Sequence, residues 1–198
     1  MALSKTKTTE MVLVVKTEHL SPYLAEKGLI TDNTDKVLSI ISQYHEFLPR
    51  PEAEEDPAYK QIIPYVVIRW GEQAYLLRRL KKGGESRLHG LLSLGVGGHI
   101  NCQADGGEDA LMNGLMRELT EEVALQGSIN LQFKGLINDD TNGVGSVHLG
   151  LCYILETDGE VRVRETEKLT GEWVDISKLP QLSPEMETWS QIVLEYLQ

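Results

Sequence analysis

The stretch "GLMRELTEEVAL", residues 114–125, sets Arg117 and three glutamates, Glu118, Glu121 and Glu122, into a run that otherwise has the period of an amphipathic helix. Apolar Leu111, Leu115, Met116, Leu119 and Val123 recur at three- and four-residue intervals, which predicts a helix from Asp109 to about Val123. Gly114 weakens it by about 1 kcal/mol relative to alanine if exposed, though a glycine there also lets a neighbour pack closely. Side chains three and four apart share a helix face, so the three glutamates converge. Like charges so placed repel unless solvent separates them or a cation neutralises them, and clustered carboxylate oxygens suit Mg²⁺ or Mn²⁺. From these residues alone a solvated acidic face explains the pattern equally well.

Working outward, the preceding "LGVGGHINCQADGGED", residues 94–109, is a glycine-rich turn whose backbone can approach a ligand or metal without obstruction. Upstream, "IIPYVVIRW" and "QAYLLRRL" read as two strands of a hairpin turning at Gly71 and Glu72. Downstream, "INLQFKGLIND" and "VGSVHLGLCYIL" read as strands joined by the loop "DDTNG", and "VRVRE" and "GEWVDI" as two shorter ones. In the closing "SPEMETWSQIVLEYLQ", Ser183 caps and Pro184 starts a helix with Met186, Trp189, Ile192, Val193, Tyr196 and Leu197 on one face. Near the start, "MVLVVKTEHL" offers a strand and "TDKVLSIISQYHEF" a helix capped by Thr34 or Asp35; the acidic, proline-containing "LPRPEAEEDPAYK" reads as an exposed connector. Strands with two long helices in the second half predict a mixed α/β sandwich, with residues 1–55 as an extension and 56–198 as the main domain. The extension would extend the sheet, cover a pocket or form a dimer contact.

The chain has 198 residues, with 19 lysines and arginines against 30 acids, for a net charge of −11. That balance disfavours nucleic-acid binding through backbone electrostatics but suits a small phosphorylated ligand held through divalent ions. Two cysteines, Cys102 and Cys152, are too few for a disulfide framework and are read as free thiols in a reducing compartment. With no long apolar run, the expectation is a cytoplasmic protein without a membrane partner.

Taken together, the glycine-rich turn and the helix resemble the Nudix box, the loop-helix-loop motif of the MutT-like hydrolases, which cleave nucleoside diphosphates linked to another moiety. "RELTEEVAL" matches from Arg117 onward, except that Ala124 stands at the usual glycine position. Gly98 resembles the opening glycine but lies five residues further from Arg117 than the family spacing gives, which implies a five-residue insertion in "HINCQADGG". The resemblance implies a Nudix-type α/β/α sandwich with a mixed central sheet. It implies metal ligation by Glu118, Glu121, Glu122 and the Gly98 carbonyl, with Glu118 or Glu121 as the base. Arg117 is similar to the family's structural arginine; counting back puts its acidic partner at Asp109, with Glu108 beside it as a substitute.

Glu167, five residues before Glu172 in "ETEKLTGEW", resembles a further metal-bound or general-base glutamate, with Glu165 as its alternate. Arg78 and Arg79 resemble a family Arg-Arg pair that contacts phosphate, and strand alternation predicts that only one faces the site; Arg87 belongs to the same set. His99 and His148 have no visible companion at catalytic spacing. The expected activity is Mg²⁺- or Mn²⁺-dependent hydrolysis of a phosphoanhydride in a nucleotide-derived substrate. Alternatives within the resemblance are an isopentenyl-diphosphate-isomerase-like enzyme using Cys102, a cap or 5′-end hydrolase, and a non-catalytic nucleotide-binding regulator.

Overall fold

The even-numbered Ile62, Val66 and Ile68 fall in two sets of core contacts, neither of them shared with the odd-numbered Tyr65 and Val67, which belong to a third, as the two-residue period of a strand requires. All five are buried, so this strand is covered on both faces and must lie in the middle layer of a three-layer fold. The structure, a computed structural model, describes residues 9–80, 89–107 and 109–198.

In chain order the elements are β1 (Met11–Lys16), α1 (Thr17–Leu20), β2 (Lys27–Ile30), α2 (Thr34–Tyr44), β3 (Glu46–Pro49), α3 (Arg50–Ala53), β4 (Tyr59–Trp70) and β5 (Gln73–Arg79). They continue with β6 (Leu92–Ser93), β7 (Gly95–Gly97), α4 (Cys102–Asp105), α5 (Ala110–Glu122), β8 (Val123–Leu125), β9 (Ile129–Asp139) and β10 (His148–Thr157). β11 (Val161–Val163), β12 (Leu169–Asp175), α6 (Leu179–Leu182) and α7 (Thr188–Leu197) complete the chain. The main sheet runs β12-β5-β4-β10-β9-β2. It is mixed, because β4 and β10 pair in parallel while β9, β5 and β12 join antiparallel. α5 lays Leu115 and Leu119 against Val66 and Ile68 on one face, and α7 lays Ile192 and Val193 with Tyr65 and Val67 on the other. Fully burying a leucine side chain stabilises by about 1.5–3 kcal/mol, so these stripes account for where the helices dock. The result is the α/β/α sandwich expected from the pattern of elements.

The N-terminal segment is woven into this architecture. β1 pairs antiparallel with β3 and with the start of β4, β2 adds an edge to β9, and Leu13 and Val15 pack with Ile62, Leu149 and Leu151. The stretch read as an exposed connector carries regular structure: the end of β3, the turn α3, whose Ala53 is fully buried, and the start of β4. The closing segment holds two elements rather than one helix. Residues 183–185 form a 3-10 turn, and α7 starts only at Thr188. Between them, Met186 bridges to Leu92 and the Glu187 N–H donates to the Leu92 carbonyl at 2.9 Å, extended contacts that a continuous helix would forfeit.

Candidate active site

β7 ends with Gly97 opposite Tyr65, and the chain then runs through Gly98, which lies against Glu118 of α5. Space dictates Gly97, and Gly98 makes room for an acid. A β-carbon on Gly97 would lie 2.4 Å from the Pro64 carbonyl oxygen, and one on Gly98 would lie 2.3 Å from the Glu118 carboxylate. Gly114, within α5, does the same for the other end of the loop: a β-carbon there would meet Ile100 at 2.8 Å and Asp105 at 3.2 Å.

Arg117 ties this loop to the helix. Its Nε and Nη2 donate to the two carboxylate oxygens of Asp105, each at 2.8 Å, Nη2 also donates to the His99 carbonyl at 2.8 Å, and Nη1 donates to Glu118 at 2.7 Å. This fork is the geometry in which arginine binds a carboxylate most strongly. Burial alone raises the Asp105 pKa, but the Arg117 hydrogen bonds and the Asn101 amide outweigh it and hold the carboxyl below its ordinary value. Among the described residues the acid that pairs with Arg117 is therefore Asp105, not Asp109. Asp109 instead caps α5, accepting from the Met112 N–H at 3.4 Å, and Glu108 lies outside the described residues. The reason is local. The added residues curl into the one-turn α4, capped by Asn101, and its last residue Asp105 is swung under the guanidinium. Gly98 to Asp105 is seven positions (105 − 98) and Asp105 to Arg117 is twelve (117 − 105), so the extra length falls on both sides of the acid.

The glutamates of α5 sit in distinct environments. Glu118 is largely enclosed, and burial, with help from Glu121 and Asp105, raises its pKa against the pull of Arg117. Glu121 is more open, 3.5 Å from Arg117. Glu122 is pushed up to about 7, first by burial and then by Glu118, Glu165 and Glu187, with Arg79 opposing. Its Oε2 is buried and has no hydrogen-bond partner among the described residues. All three acids and Gly98 border one cleft of about 760 Å³, whose apolar lining includes Ile63, Leu91, Met186 and Trp189.

Of the arginine pair, Arg79 lines this cleft, its Nε donating to Glu187 at 2.5 Å. Arg78 faces elsewhere, donating to the Gly90 carbonyl at 3.0 Å and reaching Glu185 at 3.4 Å. Alternation thus selects one of the two, and Arg87 lies outside the described residues. Glu165 lines the cleft, held at 2.6 Å by Lys168; Glu167 is exposed and is not among the lining residues.

Sequence reasoning missed five further residues of the cleft wall. His99 and His148 are companions after all, their Nε2 atoms 3.4 Å apart inside the cleft, because β10 begins beside the glycine-rich loop. Burial, then the charges of Arg50, His148 and Arg117, push the His99 pKa down to about 3, so its ring is neutral at pH 7. Arg50 and Glu10, bonded to each other at 3.1 Å, bring the N-terminal segment into the cleft wall. Glu187 had no signal in the sequence, where it falls inside the expected closing helix rather than before it. Cys102 is exposed on α4 and does not line the cleft, and Cys152 is buried in the core with its thiol pushed up to about 12 by burial. Neither is placed for proton transfer in the cleft.

As the side chains stand, no three His, Cys, Asp or Glu groups among the described residues are gathered tightly enough to hold an ion. The donor set nevertheless fits a hard divalent cation. It is all oxygen, it includes a buried carboxylate oxygen left unpaired, and Gly98 leaves room for the Glu118 carboxylate against the backbone.

No family model matches the chain. It is similar to Protein YmaB of Bacillus subtilis (strain 168), at 39% identity over 209 positions that cover 97% of this chain and 99% of the relative. It is also similar to Tm1382, a protein provisionally assigned as a Nudix hydrolase, at a TM-score of 0.82 and 37% identity, with 95% of this chain and 98% of that chain covered. More distant in sequence is the Nudix domain of Shewanella oneidensis NrtR, solved with ADP ribose, at a TM-score of 0.54 and 14% identity over 69% of this chain and 84% of that one. DR0079 from Deinococcus radiodurans matches at a TM-score of 0.54 and 17% identity over 86% and 96%. These last two likenesses concern the fold.

An acid-lined cleft at the end of a glycine loop, on an α/β/α sandwich with a mixed sheet, defines the class: an enzyme architecture for hydrolysing phosphoanhydrides. The chain belongs to the Nudix, or MutT-like, hydrolase family. Pyrophosphohydrolase-type activity on a nucleotide-derived compound, dependent in general on metal, goes with that membership.

Proposed function

We propose that this cleft hydrolyses the phosphoanhydride of a nucleoside diphosphate linked to another moiety, with Mg²⁺ or Mn²⁺ as the metal. The observation that carries the reading is the unpaired, buried Oε2 of Glu122 beside Glu118 and Glu121, a cost that a cation offsets. Glu118, Glu122 and the Gly98 carbonyl are the proposed ligands, with Glu121, and Glu165 or Glu167, completing the set. The metal supplies charge neutralisation at the diphosphate and acidification of a bound water.

The chain's own residues do the rest. Glu121, the most open of the three acids, takes the proton from the attacking water. Glu118 shares its carboxylate with Arg117, which fixes its orientation, and Arg117 keeps the glycine loop in register with the helix. Arg79 offers its remaining guanidinium donors to a phosphate oxygen while Glu187 holds its Nε. Trp189, Ile63 and Leu91 exclude water and supply an apolar surface for the base.

The test is product formation from nucleoside triphosphates, nucleotide sugars, dinucleoside polyphosphates and isopentenyl diphosphate, with Mg²⁺, Mn²⁺ or chelator, by wild type and Glu121→Gln. Metal-dependent release of a nucleoside monophosphate, lowered by about 10²-fold or more in the variant, is expected. Turnover unchanged in the variant would remove Glu121 from the mechanism, and isomerisation of isopentenyl diphosphate without hydrolysis would favour the isomerase reading.

A further inference from the structure

Lys60, in β4, is only 1% exposed, although lysine is almost never enclosed without a specific set of partners. Its ammonium donates to the side chain of Asn138 at 2.9 Å, to the Gly145 carbonyl at 2.9 Å and to Asp140, with the His148 carbonyl at 3.4 Å. Three protons are thus shared among four oxygens, one from Asn138 near the end of β9 and the others from the connection to β10 and its first residue. That connection is not incidental to the cleft: Thr141, Asn142, Val144, Gly145 and His148 all line it. Lys60 and Asp140 do not, so whatever they contribute to a bound ligand passes through the connection.

A buried ammonium is a costly way to fill space, since a packed hydrophobe of similar volume is often as good for stability. What it offers is direction. It pins both the middle of the connection, at Gly145, and its end, at His148, to one point in the sheet. His148 is pinned a second time, its Nδ1 lying 2.7 Å from the Val144 carbonyl, which requires the proton on Nδ1 and turns Nε2 toward His99. We propose that Lys60 is a positioning residue that fixes residues 140–148 as a preformed wall of the cleft, and so sets how tightly the nucleotide ligand is held rather than how fast its bond is cut. The inference rests on the cleft being the ligand site, as the proposed function has it.

The experiment compares wild type with Lys60→Met and Asp140→Asn, the second being half-exposed and hence tolerant of substitution. Two readouts are taken: hydrogen exchange of residues 141–148, and affinity for α,β-methylene-ADP with Mg²⁺, a probe that binds without being cleaved. Steady-state kinetics follow on any substrate the wild type hydrolyses. Exchange in the connection should rise by about tenfold or more while α5 keeps its protection, and the probe Kd and substrate KM should rise about tenfold with kcat within about twofold. Asp140→Asn should show the same changes at smaller amplitude.

Unchanged exchange in both variants would overturn the holding role, and a loosened connection with unchanged Kd and KM would overturn its link to the ligand. A fall in kcat with KM unaltered would mark Lys60 as merely structural. If wild type binds the probe but cleaves nothing, the hydrolase reading falls while Lys60 is still judged by Kd; if wild type does not bind the probe, both fall.

Discussion

Glu122→Gln should make the metal-free protein more stable and the metal-loaded protein inactive. With the Glu122 pKa at about 7 in the fold, against an ordinary 4.5, folding favours the protonated form. The sign follows: a carboxyl raised in the folded state contributes stability below its unfolded pKa, and that contribution is lost as pH rises through about 7. From the shift of about 2.5 units the loss saturates near 3 kcal/mol above pH 8 and is under about 1 kcal/mol at pH 5. Glutamine removes the charge but must still bury an amide, so about half should be recovered, 1–2 kcal/mol at pH 8. For a chain of this length that is a rise in Tm of roughly 3–6 °C. The assay is thermal unfolding with chelator at pH 5 and pH 8, repeated with Mg²⁺. The variant should exceed wild type at pH 8, match it within about 2 °C at pH 5, and lose most of the Mg²⁺-induced rise that wild type shows. A variant no more stable than wild type at pH 8 without metal would refute the argument that Glu122 carries an uncompensated charge.

Arg117→Ala strands the enclosed Asp105, whose other bond in the loop is from the Asn101 amide, and should cost about 3 kcal/mol, seen as a fall in Tm of roughly 6–12 °C. Because the Asp105 pKa is depressed in the fold, the penalty should be fully present at pH 7 and shrink as pH falls below the ordinary aspartate range, which acid-titrated unfolding will show. Gly98→Ala should leave Tm within about 2 °C, since the atoms its β-carbon meets are the far end of a flexible side chain, yet weaken Mg²⁺ affinity by about tenfold or more in a calorimetric titration. Equal affinity would mean that the Gly98 backbone and Glu118 do not act together on the ion.

The helix at residues 110–122 and its glutamates were legible because an amphipathic period and a charge cluster are local properties of the chain. The longer strands β4, β5, β9 and β10 were legible for the same reason, and Arg79 but not Arg78 lines the cleft. What the sequence hid was set by packing between distant segments. Asp105 looked like one more loop acid because its role depends on α4 forming, and a four-residue turn carries almost no periodic signal. Lys60 closes the acidic, proline-containing stretch that reads as an exposed connector, and only the junction of β4, β9 and β10 encloses it. Pro184 and Ser183 fit a helix start by local rules, but the extended contacts of Met186 and Glu187 with Leu92 outweighed that preference.

The altered spacing and the N-terminal segment are two sides of one arrangement. The Leu13 N–H donates to the Ile100 carbonyl at 2.9 Å, and Val12 bridges to Asn101. These contacts fall at the point where the glycine loop departs toward α4. Asn101 in turn caps α4 and gives its own N–H to Asp105 at 2.7 Å. A longer loop carries a larger closure entropy, though only by a slowly growing term, and its real difficulty is that more conformations compete for the acid. β1, itself fixed to β4, removes those competitors by pairing with the loop before it turns. Asp105 then arrives under Arg117, Arg117 orients Glu118, and the acids on α5 face the cleft whose far wall Lys60 holds. The motif residues specify the chemistry of the site, but their geometry is set by β1 and β4, which lie outside the motif.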